Sequence, residues 1–267
     1  MASADVLALA AAWLTLRRRR PALADPLTLL AAAGLAADPW QADALTDPAP
    51  RLLLNCSRQV GKTTAAAALA VWTALTTAGA LVLLLSPSLR QSSEALRRCA
   101  TLYHALAGQA APEAESALTL ALANGSRLVS LPGSEQTIRG ISAVDLLVID
   151  EAARVPDALY YSVRPMLAVS QGRLVALSTP YGRRGWWYEA WAHGGPSWER
   201  VTATAEQCPR ITAAFLAEER AALPDAWYRQ EYEGAFVDSA GAAFTEEQVR
   251  GAVDSTLLPL AAGRTLW

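Results

Sequence analysis

Gly61-Lys62-Thr63 sets a flexible turn, an ammonium and a hydroxyl at consecutive positions, inside the longer stretch Cys56-Ser57-Arg58-Gln59-Val60-Gly61-Lys62-Thr63-Thr64. The apolar run Arg51 to Asn55 precedes it and an alanine-rich run follows. A strand, a tight turn and a helix in that order aim backbone N–H groups and the positive end of the helix at an anion. The lysine then reaches the outer phosphates of a nucleoside triphosphate and the following hydroxyl binds Mg²⁺. Residues 57–64 are therefore the candidate nucleotide-binding loop. The first position of the usual pattern holds Cys56 instead of glycine, which removes easy access to positive φ there.

A second stretch, Leu146-Leu147-Val148-Ile149-Asp150-Glu151, carries four apolar residues into two adjacent acids. Ligands of open α/β sheets bind at the carboxyl ends of the strands, so these acids would emerge at a ligand edge. Asp150 is the candidate metal residue together with Thr63; Glu151 is the candidate for orienting and deprotonating an attacking water. A helix-entry acid pair is the plainer reading of either acid alone. The third stretch, Leu174 to Pro180, ends a buried strand in Ser178 and Thr179, small hydroxyls placed to sense a terminal phosphate; a plain strand end before a proline turn is the alternative. Two arginines are candidates for neutralising developing charge: Arg58, inside the loop and able to act in cis, and Arg139, in Thr137-Ile138-Arg139-Gly140 just before the acidic strand. Asp38-Pro39-Trp40-Gln41 lies upstream, where the Gln41 amide could read adenine through its donor and acceptor, or simply open a helix.

Positioning these groups requires particular elements. Residues up to about Asp47 read as helical. Arg51 to Asn55, Ala80 to Leu85, Leu146 to Ile149 and Leu174 to Leu177 read as fully buried strands, and Gly61 to about Thr77 and Leu89 to Leu106 as helices. Leu118 to Leu122 and Arg127 to Leu131 flank Asn124-Gly125, a hairpin signal. Buried runs separated by helices imply a parallel sheet covered on both faces. From about Tyr181 the character changes to short mixed elements crowded with tryptophan, expected to form a smaller subdomain on the sheet edge.

The bulk properties limit the alternatives. The 267 residues suffice for one large α/β domain with a small appendage, and 52% apolar against 18% charged residues is a globular composition. A net charge of −2 does not advertise nucleic acid, so any DNA contact must come from local arginine clusters. Cys56, Cys99 and Cys208 are too scattered for a disulfide framework or a metal site and read as reduced thiols. The apolar run Val6 to Leu16 precedes Arg17–Arg20, the reverse of a signal peptide, and is too short to span a bilayer; no membrane partner is expected.

From about Pro39 to Phe244 these motifs resemble the ATPase domain of phage large terminase subunits. The resemblance rests on the loop S-R-Q-V-G-K-T-T without its first glycine, the acid motif I-D-E-A-A through Ala153, Ser178-Thr179-Pro180, the Tyr181-Gly182 and Trp187-Tyr188 pairs, and Tyr228 to Phe236 (Y-R-Q-E-Y-E-G-A-F). It implies a P-loop, ASCE-type (RecA-like) α/β fold with a mostly parallel sheet flanked by helices and a small C-terminal lid subdomain. The implied layout is a helical segment with an adenine-side motif over residues 1–47, a P-loop core over 48–180, a lid over 181–250 and a linker over 251–267. The implied chemistry is hydrolysis of MgATP coupled to translocation of double-stranded DNA into a procapsid. The implied partners are the portal, a small terminase subunit and further copies of the chain in a ring in the host cytoplasm, with the isolated chain monomeric. Arg139 becomes the candidate finger acting on a neighbour, and Ser178 and Thr179 the coupling motif. Large terminases continue into a nuclease domain, so no DNA cleavage is expected of these 267 residues. A superfamily-2 helicase-like ATPase and a nucleotide-binding scaffold without turnover are the competing readings.

Overall fold

A computed structural model of the chain describes residues 23, 25–133, 138, 140–238, 248 and 251–252. The basic run Arg17–Arg20, Arg139 and the expected linker beyond residue 252 lie outside them. Two helices, α1 (Leu27–Ala32) and α2 (Pro39–Thr46), lead into strand β1 (Arg51–Cys56), which runs into the loop ahead of α3 (Lys62–Thr76). Then follow β2 (Leu81–Ser86), α4 (Leu89–Ala105), the short β3 (Ala114–Glu115), β4 (Thr119–Ala121), β5 (Arg127–Pro132) and β6 (Leu146–Asp150). Helix α5 (Asp157–Val163), β7 (Arg173–Ser178), α6 (Gly185–His193), β8 (Glu199–Ala203), α7 (Ala213–Ala222) and α8 (Asp225–Tyr232) complete the order, with one-turn 3₁₀ segments between some of them.

One sheet of eight strands takes the order β3-β4-β5-β2-β6-β7-β1-β8. Every pairing from β5 to β8 is parallel, and only β3-β4 and β4-β5 are antiparallel. The strand alternation explains why both faces are apolar. Leu52, Leu54, Val82, Leu84, Leu146, Val148, Val175 and Leu177 face one core with α1–α4, while Leu53, Leu83, Leu85, Leu147, Ile149, Leu174 and Ala176 face the other with α5 and α6. On the first face α3 presents Ala65–Ala68 and Ala70, all buried, so its small side chains let the helix backbone lie close to the sheet.

The central elements match the sequence reading in kind, and the Asn124-Gly125 turn joins the antiparallel pair, with Gly125 at φ 83°. Two strands go beyond that reading. β3 is only two residues long. β8 comes from the segment expected to form a small subdomain on the sheet edge, and it joins the sheet itself, pairing in parallel with β1 from Leu52↔Glu199 to Cys56↔Ala203. The sheet therefore extends past the expected boundary at residue 180. As an edge strand β8 buries only part of its surface, so Glu199-Arg200-Val201-Thr202-Ala203 shows no apolar run to read. Arg200 on β8 also clasps the end of α6. Its guanidinium donates to the carbonyls of Trp191 (2.7 Å), Ala190 (2.9 Å), Trp198 (2.8 Å) and Gly195 (3.1 Å). It thereby satisfies carbonyls that a helix end leaves without intrahelical partners.

Candidate nucleotide-binding site

Strand β1 delivers the loop at its carboxyl end, between β7 and β8. Cys56 remains in the strand, opposite Ala203, wholly buried and with ordinary negative φ. That explains why the position tolerates a side chain: the turn begins after it. The positive φ values fall at Gln59 (60°) and Gly61 (90°), and Gly61 caps α3. The φ of 90° requires glycine there, and a Cβ would also stand 2.8 Å from the Gln41 amide nitrogen and push that side chain aside. The loop backbone is pinned from the far side: Ser57 N donates to the Ala203 carbonyl (2.8 Å) and Arg58 N to the Glu231 carbonyl (2.9 Å). Ser57 Oγ is buried with no hydrogen-bond partner among the described residues.

Strands β6 and β7 bring the acids and hydroxyls to the same edge. Lys62 Nζ lies 3.0 Å from Glu151 Oε1 and 3.3 Å from Thr179 Oγ1. Thr63 Oγ1 donates to Asp150 Oδ2 at 3.2 Å. Residues 62, 63, 150, 151 and 179, nearly 120 positions apart at the extremes, therefore meet at one point in space. Asp150 is buried, and its carboxyl is pushed up to about 6, first by desolvation and then by the neighbouring Glu151 charge, against the opposing pull of Lys62. Its Oδ1 accepts from the backbone N–H of Glu151 (2.9 Å). Glu151 sits in the left-handed region at φ 51°, a conformation that costs a non-glycine residue energy and recurs at functional sites. Ser178 Oγ accepts from Ala153 N (3.1 Å) and donates to the Thr179 carbonyl (2.8 Å), so it braces the turn after Glu151 while Thr179 faces Lys62. Burial in the core beneath the loop drives the Cys56 thiol up to about 12, so it stays a neutral thiol.

Other sequence candidates have partners the sequence did not reveal. Arg58 extends from the loop to pair through Nε with Glu231 of α8, with more than half of its side chain exposed. Gln41 is buried; its oxygen accepts from Asp38 N (2.9 Å) and its nitrogen donates to the Gly61 carbonyl (3.2 Å). The residue is both part of a helix start and a brace of the loop. Thr64 accepts a bond from Arg98 of α4 (3.1 Å). Sequence reasoning missed Arg210 altogether. It forks onto the buried Asp38 carboxylate (2.9 and 2.7 Å) and donates to the Val60 carbonyl (3.2 Å). It sits in a loop with no motif, and its partner lies 172 positions away.

Together the parallel sheet, the loop between β1 and α3, and the acids on β6, separated from β1 by the intervening β7, define a P-loop α/β fold of the ASCE type. The family model for the N-terminal part of the T4-like-virus type of terminase large subunit matches residues 53–250, and the chain belongs to that family. The large terminase subunit of Escherichia phage T5 is 29% identical over 76% of this chain and 48% of its own length. That of Thermus virus P23-45 is 26% identical over 74% and 48%. The chain thus spans about half the length of these curated relatives. The large terminase ATPase domain of Thermus phage P74-26 superimposes with a TM-score of 0.66 at 22% identity, over 78% of this chain and 97% of that one. A large terminase from a thermophilic bacteriophage, in complex with ADP, gives 0.65 at 13% identity, over 75% and 54%.

Proposed function

We propose that this chain hydrolyses ATP with Mg²⁺ and serves as the motor domain of a terminase that drives double-stranded DNA into a procapsid. The observation that supports this most is the convergence of Lys62 and Thr63 on Asp150, Glu151 and Thr179. Lys62 and the backbone amides of residues 59–63, which are not spent on the Ala203, Glu231 and Gly61 carbonyls as those of Ser57, Arg58 and Thr64 are, hold the phosphates. Triphosphate entry draws Lys62 away from Glu151, which frees that carboxylate to take the proton of a water attacking the γ-phosphorus as the bond to ADP breaks. Arg58 reaches the γ-phosphate only by leaving Glu231.

Mg²⁺ fits the residues present. Thr63 Oγ1 and Asp150 Oδ2 are hard oxygen donors 3.2 Å apart at the rim of the loop, and would hold the ion, Asp150 through water. The ion, when bound, neutralises charge on the β- and γ-phosphate oxygens. Residues 48–180 act as the motor core in this reading. Residues 181–250 act as a lid that also supplies β8, with Ser178 and Thr179 relaying the phosphate state to it. Arg139 serves a neighbouring subunit in a ring docked on the portal, so the isolated monomer turns over slowly. The small terminase subunit is a further partner in the host cytoplasm. Among the described residues no helix is long and apolar enough to cross a membrane.

Phosphate release from ATP, with Mg²⁺ or with EDTA and with or without double-stranded DNA, tests the reading. Slow, Mg²⁺-dependent turnover is expected. A pure, folded chain that neither binds ATP nor releases phosphate in any of these conditions overturns it.

A further inference from the structure

The catalytic groups reach the loop from one side only. Asp150, Glu151 and Thr179 come from β6 and β7, and β1 stands between those strands and β8. A triphosphate whose terminal phosphate faces these groups must carry its nucleoside away from them, past Gly61 toward the start of α2 and the loop after β8. That region holds an arrangement none of the sequence motifs accounts for. Asp38 is buried, only 4% exposed, and Arg210 covers it with a two-bond fork. A bidentate fork fixes the guanidinium plane as well as its position. The same guanidinium donates to the Val60 carbonyl, and its Nη2 would lie 3.5 Å from a Cβ on Gly61. It is therefore anchored at the rim of the phosphate loop, and 53% of its side chain stays open to solvent. Since Asp38 neutralises its charge, what Arg210 offers a ligand is a flat, weakly hydrated face, not a free cation.

We infer that Arg210, held flat by Asp38, is the platform on which the nucleobase of the bound nucleotide rests, and hence a positioning residue for the nucleoside. This rests on the proposed function, because it takes the loop to hold a triphosphate. Guanidinium faces stack on π-systems, and every base offers one, so the platform adds affinity without choosing among bases. Gln41 beside it already accepts from Asp38 N and donates to the Gly61 carbonyl, so only its second amide N–H remains for a base edge.

The test compares ATP with inorganic tripolyphosphate, which has the phosphates and lacks the base. Arg210→Lys keeps the positive charge over Asp38 and removes the plane; Arg210→Met combined with Asp38→Asn removes the plane and leaves the pair neutral. Calorimetric titration of both folded variants, checked by thermal melting, is expected to show about five- to tenfold weaker ATP binding and unchanged tripolyphosphate binding. GTP should weaken in parallel with ATP. Wild-type ATP affinity in either variant overturns the inference. A parallel fall in tripolyphosphate affinity also overturns it, since Arg210 would then only brace the loop. A wild-type chain that binds neither ligand removes the phosphate-loop reading itself, and this inference with it.

Discussion

Replacing Cys56 by glycine restores the residue expected at the head of a phosphate loop, and the structure says that the restoration is harmful. Cys56 is the last residue of β1, fully buried in the core shared with α3 and opposite Ala203 in the parallel pairing with β8. Its φ is negative, so glycine gains nothing from its freedom at positive φ. Removing the Cβ and sulfur forfeits about 1.5–2 kcal/mol of buried apolar contact, at roughly 0.8 kcal/mol per methylene-sized group with a residual void added. Glycine in a strand costs a further ~0.5–1 kcal/mol of backbone entropy. The sum is about 2–3 kcal/mol of lost stability, and for a domain of this size about 5–10 °C in Tm. Had the position lain at positive φ, relief of about 1–2 kcal/mol of left-handed strain would have offset most of that loss. The size of the loss therefore separates the two geometries. Calorimetry and urea titration of Cys56→Gly measure it, and a variant at least as stable as the parent refutes the reasoning that the turn starts after Cys56.

Glu151→Gln keeps the size and position of the side chain and should leave ATP binding intact while turnover falls by about 10²–10⁴-fold; phosphate release within threefold of the parent removes Glu151 as the base. Arg139→Ala should abolish the rise in turnover that accompanies assembly and spare the slow monomer rate; assembled variant rings at full activity end its role across subunits. All three cysteines are buried, and for Cys56 and Cys99 burial holds the thiol near 12, so only about one in ten thousand is thiolate at pH 8. An aromatic disulfide reagent should find no rapidly reacting thiol in the folded chain and all three once urea unfolds it. Arg200→Ala strands four carbonyls around the end of α6 and should cost about 3 kcal/mol, with Arg200→Lys recovering little because an ammonium cannot span the fork. Matching denaturation midpoints for parent and alanine variant contradict that account.

The central strands that the sequence made legible share one property: each is buried on both faces and ends in a tight polar turn. β1, β2, β6 and β7 are continuous apolar runs because helices cover the sheet on both sides, and their polar ends, Ser57 to Thr64, Asp150-Glu151 and Ser178-Thr179, stand out by contrast. β8 escaped because half-exposed edge strands carry no such pattern. The contacts of Arg58 and Arg210 escaped for a different reason. Each reaches a carboxylate more than 170 positions away, on α8 for Arg58 and before α2 for Arg210, and only the assembled sheet order brings those loops together. For Gln41 the two readings offered by the sequence were not exclusive: one amide opens the helix with its oxygen and holds the loop with its nitrogen.

The pinning of the phosphate loop from behind has a mechanical meaning. Asn55 donates to the Gly234 carbonyl (2.7 Å), Ser57 N to Ala203 and Arg58 N to Glu231, three stitches that fasten neighbouring residues of one thread to the cloth beyond residue 200. Through this seam the loop backbone is tied directly to β8 and to α8 and the turn after it, so in the proposed motor a displacement of the loop would be felt there without passing through the core.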